Sequence, residues 1–243
     1  MSELLLKICS DENIIDACNF LLKKKDSCGT DGMFLSELPD YLVHNKPIFV
    51  NSILDGSYTF SLAEKRVILG KIGKKREITI LCSADRLLLR MLYQVLYPLV
   101  STMFADNSYA YIKGRGIQEA VGRCKSYIES GLQYVVELDI KDFFDNIIHS
   151  KLSALLSESN IASDVVSLIE KYLKMNVKFE DQIHRNNKGV IQGSSLGPLF
   201  SNLFVNKLDH QMQDENVAYV RFSDDIKVFC SDYDAACAIH QNF

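Results

Sequence analysis

The stretch from Tyr219 to Cys230, YVRFSDDIKVFC, sets two adjacent aspartates, Asp224 and Asp225, between two runs of strand-forming residues. Two short apolar runs broken by a polar tip read as a β-hairpin. A tight turn tolerates aspartate and lifts its side chain clear of the core. As a plain surface turn, the acidic pair would need no partner.

A second strand changes that expectation. In VVELDIKDFFDN, Asp139 ends an apolar run, and its neighbours Val135 and Val136 predict burial. An unpaired ionised carboxylate in such a place costs several kcal/mol, so something positive should face it. Lys141 could turn back, but no lysine or arginine at that strand end is an obvious mate. A shared cation meets the need more economically. Asp139 on one strand and Asp224 on a neighbouring hairpin could hold two Mg²⁺ ions about 3.5–4 Å apart through hard oxygen ligands.

A chain of 243 residues suffices for one sizeable domain or two small lobes, and 47% apolar with 24% charged residues is an ordinary globular composition. The opening MSELLLKICS is neither a signal peptide nor a membrane span, which implies a cytoplasmic protein with no membrane partner. Seven scattered cysteines form no CxxC pair and read as reduced thiols rather than a zinc site. Charge is uneven. Residues 61–130 carry 12 basic and 6 acidic side chains, and residues 131–243 carry 10 and 16. A basic segment beside an acidic one suits a polyanion-binding wall next to a metal pocket, although a solvated surface can also be uneven by chance.

Along the chain, residues 1–45 predict peripheral helices with a loop at KKKDSCGTDG. Residues 69–81 predict a hairpin whose second arm is Glu77–Leu81, followed by a helix that Pro98 ends or bends. A helix over Ile117–Ser130, a strand over 132–140, helices near 149–158 and 163–175, and a short strand NVKFE come next. Residues 189–212 begin as a Gly/Ser turn and continue as a helix, and a last helix starts near Asp232. The order predicts an α+β fold, a small antiparallel sheet with helices on one face.

Five segments in this order resemble the bacterial reverse transcriptases of group II introns, retrons and phage-defence systems. They are KKREITILCSADRLLLRMLYQVLYPL, NSYAYIKGRGIQEAV, LDIKDFFDNI, GVIQGSSLGPLFSNLFVNKLD and YVRFSDDIKVF. The resemblance implies a right-hand polymerase with an N-terminal helical extension over 1–52. It also implies fingers over 53–130, to which 161–190 return, and a palm over 131–243 whose antiparallel sheet is backed by helices. It further implies RNA-directed DNA synthesis with two Mg²⁺ ions, or Mn²⁺, an RNA template, a DNA or RNA primer, and dNTPs. Asp139, Asp224 and Asp225 are then the catalytic, metal-binding carboxylates, with the Ile140 carbonyl completing one shell. Phe144 takes the steric-gate position against a ribose 2′-hydroxyl, with core packing as the alternative. Gln192 and Gly193 match the nucleotide-contacting pair, while Ser194 and Ser195 read equally as a helix-capping turn. Arg76, with Lys74 as the alternative, matches the residue gripping the triphosphate, and Lys75, Arg115 and Arg221 become nucleic-acid contacts. Arg221 could instead pair with a nearby acid.

FSDD stands where the family has YADD, and VIQGSSLGP lacks the usual prolines. These departures suggest a divergent, defence-associated member. The chain stops 18 residues after Asp225, before the thumb expected of the family. It therefore reads as a fragment or as one whose partner protein or non-coding RNA supplies that function. An RNA-dependent RNA polymerase of the same fold and a catalytically idle RNA-binding subunit are the competing readings.

Overall fold

Serines open the first two helices. In the computed structural model, which describes residues 1–69 and 75–242, Ser2 Oγ accepts the Leu5 amide proton and Ser10 Oγ that of Asn13. These caps satisfy amides that have no partner within the helix. Three helices lead, α1 (Glu3–Ile8), α2 (Asp11–Leu22) and α3 (Leu38–Leu54), then strands β1 (Ala63–Leu69) and β2 (Lys75–Ile80) and helices α4 (Ser83–Val100) and α5 (Ile117–Glu129). β3 (Tyr134–Asp139), α6 (Phe143–Asn146), α7 (His149–Glu158), α8 (Ser163–Leu173), β4 (Asn176–Phe179) and β5 (Gln182–Arg185) follow. The chain closes with α9 (Gly197–Asp214), β6 (Tyr219–Phe222), β7 (Asp225–Cys230) and α10 (Tyr233–Asn242). The fold is α+β, as the pattern predicts. No helix among the described residues is long and apolar enough to cross a membrane.

The chain divides into two units, Met1–Leu99 with Phe144–Gly197, and Val100–Phe143 with Pro198–Phe243. The crossings therefore fall at other positions than the expected limits at 52/53 and 130/131.

In the first unit α4 is the central helix. Leu87, Leu88, Leu89, Met91, Leu92 and Leu96 are all buried, and a helix apolar nearly all round belongs in a core. It runs to Val100, past Pro98, so that proline does not end it. The N-terminal helices are less peripheral than predicted. Ile8, Ile14 and Ala17 are buried, and Asn13 Nδ2 donates to the Met91 carbonyl at 3.1 Å. The sheet of this unit has the order β2-β1-β4-β5. β1 and β2 make a longer hairpin than predicted, its turn lying outside the described residues, and β4 joins β1 in parallel. β5, QIHR, was not expected, because three polar residues around a single isoleucine, all four exposed, carry no alternating signal.

The second unit holds an antiparallel sheet of order β3-β7-β6. Val136, Ile226, Val228 and Tyr219 lie on one face with Leu208 and Met212 of α9 and Ala235, Ala236 and Ile239 of α10. Helices on one face alone were expected, but the other face is partly covered too: Val220 and Phe229 meet Ala120, Cys124 and Tyr127 of α5. The reason is that β6 alternates valine with tyrosine and arginine, so both of its faces need burial.

Candidate active site

Period-two geometry assembles the acidic site in the second unit. Leu138 opposes Ile226 and Asp139 opposes Asp225, so the two carboxylates leave the same face of the sheet. Asp224 belongs to the two-residue loop between the paired Phe222 and Asp225. Its carbonyl accepts the Ile140 amide proton at 3.1 Å, which ties the loop to the end of β3. Asp139, Ile140, Asp224 and Asp225 are thus brought together, as predicted.

Their environment differs from the prediction. Asp139 is exposed and so is Val135, at 41%, because β3 is an edge strand. Burial therefore does not force a cation on Asp139. The observation that points to a cation is a different one. Among the described residues no donor or cationic group reaches the carboxylates of Asp139 or Asp224, although Asp139 faces a like charge across the strand pair. Asp225 is partly engaged: Lys227 Nζ lies 3.4 Å from its Oδ1 and 2.8 Å from Glu137 Oε1. Both acids raise the Lys227 pKa, the Glu137 hydrogen bond most. No three acidic, histidine or cysteine side chains among the described residues converge tightly enough to form a ready ligand shell. The donor chemistry still fits a hard divalent cation, since two carboxylates without a partner among the described residues and a third beside them meet at one end of the sheet.

Of the predicted nucleic-acid contacts, Arg221 proves structural and Arg115 is engaged within the protein. Arg221 is fully buried and pairs with Asp209, its Nη2 lying 2.6 Å from Oδ2, so it cannot meet a phosphate. It shares the core face with Tyr219 because strand residues two apart point the same way. Of the two alternatives the sequence left open, pairing with an acid is correct. Arg115 folds back instead. Its Nη1 donates to the carbonyls of Ala105 (2.6 Å) and Ser108 (3.0 Å), and its Nη2 reaches Asp106 at 3.2 Å. It clips the loop whose Ser108 bridges Arg221 along the edge of β6. Asn202, Asn206 and Asp209 form a buried polar stripe on α9 that sequence reading missed. Their i, i+4, i+7 spacing inside an apolar helix was the available signal.

The remaining predicted residues lie in the first unit, whereas Phe143, next to Phe144, ends a segment of the second. Phe143 is buried and Phe144 half-buried. The Phe144 carbonyl accepts the Val190 amide proton (2.8 Å), and that of Ile147 accepts from Gly189 (2.8 Å). Gly189 is required there: it has φ +82°, and a Cβ would sit 2.8 Å from Asp145 Cα. His149 Nε2 and Asn186 Nδ2 both donate to its carbonyl. Gly189→Ala is expected to destabilise the protein by about 1–3 kcal/mol, measured by urea denaturation. Gln192 is exposed, with Nε2 3.3 Å from Asp145 Oδ2. It lines a cleft of about 240 Å³ together with Thr79, Asp145, Phe179, Arg185 and Lys188. Gly193 has φ +95°, which alone explains the glycine, as the nearest atom to an added Cβ is Thr79 O at 3.7 Å. Ser194 acts as the helix cap left open above, its Oγ accepting the Gly197 amide proton at 3.1 Å and the Tyr172 hydroxyl proton at 2.5 Å. Lys74 lies outside the described residues, as do the side chains of Lys75 and Arg76.

Comparison with known proteins agrees with this architecture. Residues 64–243 match the reverse transcriptase (RNA-dependent DNA polymerase) family. The chain is 30% identical over 161 residues to the group II intron-encoded protein LtrA of Lactococcus lactis subsp. cremoris, covering 66% of this chain and 27% of that protein. It is 25% identical to protein YkfC of Escherichia coli K12 over 221 residues, 88% of this chain and 58% of YkfC. The chain thus spans about a quarter of LtrA and somewhat over half of YkfC. A solved partial Cas6-RT-Cas1–Cas2 complex shares the fold, with a TM-score of 0.63 at 23% identity over 99% of this chain and 41% of that one. With the match covering most of its length, this chain belongs to the reverse transcriptase family.

Proposed function

We propose that this chain is the fingers and palm portion of an RNA-directed DNA polymerase, a nucleotidyltransferase that extends a primer with dNTPs against an RNA template. The observation that carries the proposal is the meeting of Asp139, Asp224 and Asp225 at one end of the sheet, the carboxylates of the first two having no protein donor among the described residues. The antiparallel sheet of the second unit is the palm, and the β1–β2 hairpin of the first belongs to the fingers.

Asp139 and Asp224 are the principal ligands for two Mg²⁺ ions, with the Ile140 carbonyl in one shell. Asp225 is a lesser ligand, because Lys227 already competes for it. When bound, such ions supply Lewis-acid activation of a primer hydroxyl and neutralise the charge of a departing pyrophosphate. The chain's own residues orient the reactants. The amide of Gln192 is free to exchange its long contact with Asp145 for a nucleotide oxygen. Gly193 keeps the backbone beside it open, since nothing but Thr79 O comes within 4 Å of an added Cβ. Arg76 or Lys74 grips the triphosphate, and Lys75 contacts backbone phosphate. Membership of a divergent, defence-associated branch, with a partner protein or non-coding RNA, is part of the same proposal.

Phe144 supplies the test. Its backbone is tied to Val190 and its ring is half-buried, so it is rigid enough to exclude a 2′-hydroxyl. Wild type is expected to prefer dNTPs, and Phe144→Ala to narrow the dNTP:NTP preference by roughly 10²-fold in single-nucleotide extension assays. A wild type that prefers NTPs overturns the gate assignment and favours an RNA polymerase.

A further inference from the structure

Arg221 heads the fully buried side chains by volume, and every donor on its guanidinium is engaged. Nε donates to Asp209 Oδ1 at 2.8 Å. Nη2 donates to Asp209 Oδ2 at 2.6 Å and to Ser108 Oγ at 2.7 Å. Nη1 donates to Asn202 Oδ1 at 3.1 Å and to the Ser223 carbonyl at 2.9 Å. Five N–H groups therefore meet five acceptor positions, which only a planar guanidinium fork can do; lysine offers three donors at one point.

The contact with Ser223 has a consequence for its neighbour. That carbonyl belongs to the peptide joining Ser223 to Asp224. The following peptide, joining Asp224 to Asp225, has its carbonyl held by the Ile140 amide. The Asp224 Cα is thus suspended between two peptide planes, each pinned from a different element. Ser223 itself is buried at φ +64°, a left-handed conformation that a serine keeps only when its surroundings impose it. Asn202 and Ser108 aim the guanidinium, and Asp209 holds its charge in the core.

We propose that Arg221 is a positioning residue: through the Ser223 carbonyl it sets the backbone at Asp224 and so the direction of that carboxylate. The link to catalysis rests on Asp224 being a metal ligand, whereas the link to the backbone does not. Two variants in the full-length protein separate these levels. Asn202→Ala keeps the ion pair and removes an acceptor that aims Nη1. Arg221→Met/Asp209→Leu replaces the pair with apolar side chains that can fill its place.

In both, the Ile140 amide is expected to exchange with deuterium about tenfold faster than in wild type, while Ile169 in α8 exchanges at the wild-type rate. The Mg²⁺ concentration giving half-maximal dNTP incorporation is expected to rise by about threefold or more, with Mn²⁺ restoring part of the rate, since Mg²⁺ demands near-ideal octahedral geometry. A merely structural arginine would shift Tm and leave both readouts unmoved in the apolar double variant. Wild-type exchange at Ile140 in either folded variant overturns the positioning role, whatever the activity. Faster exchange with an unchanged Mg²⁺ requirement overturns its catalytic consequence. Faster exchange in the variants, where the wild type itself incorporates no dNTP, supports the backbone role and rejects the polymerase reading instead.

Discussion

Asp224→Asn is expected to lower dNTP incorporation by about 10³-fold, the loss that follows when roughly 4 kcal/mol of transition-state charge stabilisation disappears. The substitution is nearly isosteric, and no protein donor or cation among the described residues depends on the carboxylate, so Tm should stay within about 2 °C of wild type. The pairing of large catalytic loss with unchanged stability is what identifies a ligand. Asp139→Asn should behave alike in primer extension and gain slightly in Tm, because it removes one of two like charges directly opposed across β3 and β7. Retention of more than about a tenth of the wild-type rate in both variants would falsify the metal-ligand assignment.

Removing Arg221 by itself should have the largest effect on stability. Arg221→Met leaves Asp209 fully buried and, among the described residues, without a charge partner, and leaves Ser108, Asn202 and the Ser223 carbonyl short of a donor. Breaking a buried pair from one side costs about 3–5 kcal/mol, a fall of roughly 10 °C in Tm for a chain of this size. The added change Asp209→Leu should recover most of that loss, since an apolar pair needs no compensation. Urea titrations followed by far-ultraviolet circular dichroism measure both steps. An Arg221→Met protein as stable as wild type would mean that the buried pair contributes nothing to folding.

The acidic hairpin was readable because its pattern is local. The strands formed where the apolar runs place them, although the loop is Ser223–Asp224 and not the aspartate pair, Asp225 already pairing with Phe222 and Asp139. Helix limits were readable for the same reason, as at His149–Glu158, where spacing and observed ends coincide. Arg221 could have been read better: it is two residues from Tyr219, hence on the same face, and a buried arginine needs an acid nearby. The exposure of Asp139 could not, because apolar neighbours in a strand look alike whether the strand is central or at the edge. β5 was lost because QIHR has no apolar face, and its place beside β4 is set by pairing rather than by side chains.

Chemistry that depends on neighbours in the chain, such as strand, turn, helix and the presence of three acids in two motifs, was therefore legible from residue order alone. Folding decided everything that depends on neighbours in space. It put Asp139 on an edge strand opposite Asp225, drew Arg221 and Asp209 into one core, and made β4 the partner of β1. The reason is physical: backbone periodicity acts over a few residues, whereas register, sheet order and burial arise only when distant segments compete for the same hydrogen bonds and the same dry interior.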